Sequence, residues 1–121
     1  MKTHAWILAL MMALMMVLTL FVAGCGQKLM SANAAEKAFT SADPTLKAEW
    51  DKAMSAYKTN DYAQAIMTLK MMRTQPNLNP QQFNAVEDMR TIIMSKMTEA
   101  ANKGDTNALK SVEELQQFRG R

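Results

Sequence analysis

Charge is missing from one stretch of the chain and interspersed through the rest. Residues 5–22 contain no Lys, Arg, Asp or Glu and are rich in Leu and Met. Lys2 precedes this run and the small pair Ala23-Gly24 closes it. A basic start, an apolar middle and a small-residue end predict an export signal over residues 1–24. An apolar run of about 18 residues also suffices to span a bilayer if left uncut, so length alone leaves both readings open.

From residue 43 onward the apolar positions recur every three or four residues, which predicts amphipathic helices. Asp43 followed by Pro44 marks the start of the first. Leu46, Trp50, Ala53, Met54 and Tyr57 form its apolar face, and it is expected to stop near residues 58–60. Asp61, with Gln64 three positions on, has the pattern of a capping box and opens the second. Tyr62, Ala65, Ile66, Leu69 and Met72 form its stripe, and Pro76 and Pro80 end it. The third helix begins at Asn79-Pro80, with Gln82 in position to complete a cap. Phe83, Val86, Met89, Ile93, Met97 and Ala100 or Ala101 point inward, with Arg90 interrupting the stripe as a snorkelling side chain. Gly104 stops this helix. The fourth starts at Asp105 or Thr106 and presents Leu109, Val112, Leu115 and Phe118. No stretch of 43–121 alternates with period two, so the expected class is all-α, with about four helices after the signal arranged as two antiparallel hairpins. Residues 25–42 are small, polar and weakly patterned. They read as a flexible tether ahead of a helical domain at 43–121, with a short helix over 34–39 as the alternative.

Composition narrows the chemistry. His4 is the only histidine and Cys25 the only cysteine, and His4 lies in the predicted signal. The chain beyond the signal therefore lacks the usual proton shuttle near neutral pH and the common zinc ligands. The carboxylate doublets Glu87-Asp88 and Glu113-Glu114 point about 100° apart on a helix and form no ready acid–base pair. No phosphate-binding or dinucleotide fingerprint occurs. The expectation is a protein that is not an enzyme, with no catalytic residues and no cofactor. Lys and Arg number 14 against 11 acids, without a basic block, which argues against a nucleic-acid partner.

Methionine is abundant, with 13 in the chain. Met67, Met71 and Met72 share one predicted helix. Thioethers suit soft metals such as Cu(I), and they also fill irregular cores. Met67 and Met71 fall off the main stripe, so the second helix carries two apolar faces. The second face is either buried by neighbouring helices or open to a partner. Trp50 is likewise a core residue or an exposed anchor. Trp50, Met67 and Met71 are thus the candidate partner-binding residues.

Two resemblances add to this reading. Val22-Ala23-Gly24-Cys25 resembles the lipobox of bacterial lipoproteins: an aliphatic residue, two small ones, then cysteine. The resemblance implies cleavage between Gly24 and Cys25 and acyl chains such as palmitate on Cys25. It also implies a lipid-anchored protein of the cell envelope. Gly26 in place of aspartate implies passage to the outer membrane, facing the periplasm, if the host is Gram-negative. The stretch around Tyr57, Asp61-Tyr62, Ala65-Ile66 and Pro76 resembles a tetratricopeptide repeat, a helical hairpin whose alanine lets two helices approach closely. Residues 102–112 echo 58–68, although Thr106 stands where the repeat has tyrosine. Two related hairpins or a small up-down bundle are both compatible with this pattern.

The function these features imply is a membrane-anchored, non-catalytic interaction or scaffolding module with a protein partner. The alternative is a Met-rich copper or small-ligand binder. A domain of about 80 residues without cross-links draws only about 3–5 kcal/mol from its core, which leaves room for self-association into a homo-oligomer.

Overall fold

The computed structural model describes residues 28–120. The predicted signal over residues 1–24 and the predicted lipidation residue Cys25 lie outside the described residues. Every element among those described is a helix: α1 (Ala32–Phe39), α2 (Pro44–Lys58), α3 (Tyr62–Met72), α4 (Pro80–Asn102) and α5 (Thr106–Arg119). None of these helices is long and apolar enough to cross a membrane.

The caps explain where the helices start. Asp43 Oδ1 accepts the N–H groups of Thr45 and Leu46, each at 3.0 Å, and Pro44 occupies the first turn of α2, where a missing donor costs nothing. Asn79 and Gln82 close a full capping box on α4: Asn79 Oδ1 accepts from the Gln82 N–H at 2.8 Å, and Gln82 Oε1 accepts from the Asn79 N–H at 3.1 Å. The box expected on α3 is only half built. Asp61 Oδ1 accepts from the Gln64 N–H at 3.2 Å, while the Gln64 side chain turns to Thr68 Oγ1 instead of returning to the cap.

Helices α2 and α3 form one hairpin, α4 and α5 a second. Their turns have the same construction, 44 positions apart. In the first, the Asn60 N–H donates to the Tyr57 carbonyl and the Asp61 N–H to that of Ala56, at 3.0 and 2.9 Å. In the second, Gly104 donates to Ala101 and Asp105 to Ala100, both at 3.0 Å. This is the Schellman arrangement, which requires a left-handed residue just past the helix end. Asn60 (φ 60°) and Gly104 (φ 85°) provide it. The aspartate after each one caps the next helix.

α3 and α4 are central: α3 packs against α2, α4 and α5, and α4 against α1, α3 and α5. Leu69, Met72, Val86, Met89 and Ile93 fill the space between them at 0–1% exposure. Glu87 fastens the 73–79 connection to α4, with Arg73 Nε and an Arg90 terminal nitrogen each 3.0 Å from its carboxylate. Arg90 is half-buried on the flank of the α4 stripe, and its Nε has no hydrogen-bond partner among the described residues.

The expected tether over 25–42 requires correction, and so does the helix count. Among the described residues there are five helices, because α1 takes up residues 32–39 and belongs to the core. Ser31 caps α1 by accepting the Ala34 N–H, and Ala35 and Phe39 are buried at 0% and 1% exposure. The segment is held from both ends. Gln82 Nε2 donates to the Ala38 carbonyl at 3.2 Å, and Asp88 Oδ2 accepts the Met30 N–H at 2.8 Å. Among the described residues, packed structure therefore reaches back to Met30, well before residue 43.

Candidate interaction surface

Trp50 is a core residue, which corrects its place among the exposed candidates. It is 1% exposed, and its ring stacks on Phe39 with centroids 4.3 Å apart and planes 12° from parallel. The stack fixes α1 against α2, and an aromatic pair so placed is worth about 0.5–1.5 kcal/mol beyond its buried area. The indole N–H has no hydrogen-bond partner among the described residues.

Met67 and Met71 lie one turn apart on the outer side of α3, Met67 half-buried and Met71 55% exposed. Met72, the third methionine of the soft-metal reading, is turned about 100° away into the core at 0% exposure. Its thioether serves packing. Among the described residues no group of three or more His, Cys, Asp or Glu side chains is placed to hold a metal ion.

Met67 also lines an open groove of about 430 Å³ between the start of α3 and the length of α5. Asp61 and Gln64 flank it on the α3 side; Asn107, Lys110 and Phe118 line it from α5. Its floor carries a contact that sequence reasoning missed. Ser111 Oγ, 4% exposed, accepts the Ala63 N–H at 3.2 Å. Asp61 already serves the Gln64 N–H, so a hydroxyl from another helix satisfies a second orphan donor of the first turn of α3. No sequence signal within either helix announces such a pairing.

A second recess, of about 320 Å³, lies where the two turns come together, lined by Tyr57, Tyr62, Lys58, Lys96, Glu99 and Lys103. Burial raises the Tyr62 phenol above its ordinary value, and the nearby Asp105 carboxylate adds to the effect. Its hydroxyl lies 3.3 Å from Asn60 Oδ1. Lys103 donates to Glu99 at 2.8 Å, which holds the Glu99 carboxyl below and the Lys103 ammonium above their usual values. This pair is fully exposed, where water screens it.

Among the described residues the large apolar side chains open to solvent are Leu29, Met71, Phe83, Met94, Leu109 and Phe118. Arg73 covers part of Phe83, its guanidinium carbon 5.9 Å from the ring centroid. Leu109 and Phe118 were expected to face inward. They are 50% and 56% exposed, and Ala108 and Ser111 take the buried positions of α5.

What the groove offers is shape and mixed polarity: Met67 and Phe118 beside amides, hydroxyls, Lys110 and the carboxylates of Asp61 and Glu114. Such a lining suits recognition of a protein segment more than bond chemistry. No family model matches the chain, and no curated protein or solved structure matches it either.

Proposed function

We propose that the protein is a bacterial envelope lipoprotein, anchored through acyl chains on Cys25, whose helical domain is a non-catalytic docking module. The observation that carries the proposal is Val22-Ala23-Gly24-Cys25, with the chain's one thiol at the end of an uncharged run. One buried acyl chain holds a protein weakly and two hold it stably, at about 0.8 kcal/mol per methylene. With Gly26 after the cysteine, the resemblance places the anchor in the outer membrane of a Gram-negative host. The groove between α3 and α5, with Met67 and Phe118 in its lining and Met71 beside it, supports the docking half of the reading. The copper alternative gains nothing from Met72, which the core occupies.

Replacing Cys25 by serine tests the anchor. The expected result is that Cys25→Ser protein, expressed in its own host, either leaves the membrane fraction or keeps its leader as extra mass. Identical mass and identical fractionation of variant and parent would overturn the assignment.

A further inference from the structure

Under the anchor reading, on which this inference rests, the distance between Cys25 and the first fixed residue sets how the domain stands on its membrane. Met30 is fixed: its N–H donates to Asp88 Oδ2 at 2.8 Å, and its side chain packs against the core. From Cys25 to Met30 the chain takes five steps, at most about 18 Å when fully extended. A domain of this size has a radius of gyration of ~12 Å and so a width of about 30 Å. The leash is shorter than the body it holds.

We infer that the domain lies directly on the bilayer that receives the acyl chains, with the Met30–Asp88 face toward the lipid. Two exposed residues lead into that face. Leu29 is 42% exposed, and Lys28 carries a charge that favours anionic headgroups. Leu29 is an apolar side chain without internal cover, at the point where the chain must reach the interface. On α4, Asn84 and Thr91 flank Asp88 one turn either way and are exposed and uncharged, so they add no charge to that of the half-buried Asp88 carboxylate. The paired turns at Asn60 and Gly104 lie at the other end of α4, about 21 Å along its axis from Asp88. The groove along α5 begins at that end, at Asn107, and the turn recess lies there too. The Asn107 end of the groove and the turn recess therefore lie remote from Met30, where the leash ends.

The test uses full-length acylated protein, purified from its host and reconstituted into phosphatidylethanolamine–phosphatidylglycerol vesicles containing lipids with a quenching nitroxide. Fluorophores are placed on Asn84→Cys or Asn107→Cys, the Cys25 thiol being already alkylated. Quenching is expected to be several-fold stronger at position 84 than at position 107. A Gly/Ser insert of about twenty residues after Gln27, spanning ~25 Å on average, should bring the two sites close to equality. Acylated protein with equal quenching at both sites would overturn the apposition while leaving the anchor intact. A ratio unchanged by the insert would overturn the short leash as its cause. A mass spectrum lacking acyl chains would remove the anchor reading itself, and the apposition with it.

Discussion

The two hairpins share a turn and differ in what they bury. In the first, α3 buries seven residues, among them Ile66, Leu69 and Met72; in the second, α5 buries only Ala108 and Ser111. The turn hydrogen bonds, the left-handed position and the capping aspartate nevertheless correspond, with Asn60 in one turn and Gly104 in the other. Turn geometry is thus written locally, by a few backbone groups and one carboxylate. Burial is set by neighbours: α3 has helices on several sides, whereas α5 ends the stack. On α5, Lys110, Glu113 and Gln116 stand at the positions that Ile66, Leu69 and Met72 occupy on α3.

The largest test of this contrast sets Leu69 against Leu109. Leu69→Ala should cost about 2–5 kcal/mol in urea unfolding, because it empties a site that is fully enclosed. Leu109→Ala should stay within about 0.5 kcal/mol. Equal losses would mean that α5 is covered in solution, and the contrast would fail. Ser111→Ala addresses the link between the hairpins. It leaves the Ala63 N–H buried without an acceptor and should cost about 1–3 kcal/mol, while Ser111→Thr, which keeps the hydroxyl, should cost less. The smallest effect concerns the shared turn. Gly104→Ala should lose about 1–2 kcal/mol from left-handed strain alone, since no atom lies within 4 Å of the added carbon. Gly104→Asn should recover most of that, because Asn60 already holds the same conformation in the first hairpin. If Ala and Asn cost the same there, the two turns are not equivalent.

Helix starts were legible because capping residues act on their own backbone. Asp43 with Pro44, Asp61, Asn79 with Gln82, and Asp105 all cap the helices they were expected to cap. The stripe of α3 was legible too, since four large apolar residues, Tyr62, Ile66, Leu69 and Met72, face one way there. α1 was not. Alanine carries little hydrophobic signal, and only Phe39 among its three buried residues is large. Its place depends on Trp50, Gln82 and Asp88, which no local window contains. The phase of α5 was misread for a geometric reason. Leu109, Val112, Leu115 and Phe118 are spaced by three, and each such step lags a turn by about 60°. Four of them walk halfway round the helix, so no single face can bury them all. Val112 and Leu115 ended half-buried, with Leu109 and Phe118 on opposite margins. The candidate surface was half legible: Met67 and Met71 were identified by falling off a stripe, whereas Ser111 and the groove need two helices at once.

The bonds from the first helix to α4 also impose an order of assembly. Met30 to Asp88 and Gln82 to Ala38 join residues 58 and 44 positions apart, whereas each hairpin closes over three connecting residues. Nearby contacts form early and distant ones late, because closing a longer loop costs more chain entropy. The segment around Met30 is therefore among the last to dock, after the hairpins have given it a surface. Under the proposed export signal, a chain threaded across a membrane from its leader would gain from this delay: the part that enters first would have no complete partner until the rest had crossed behind it.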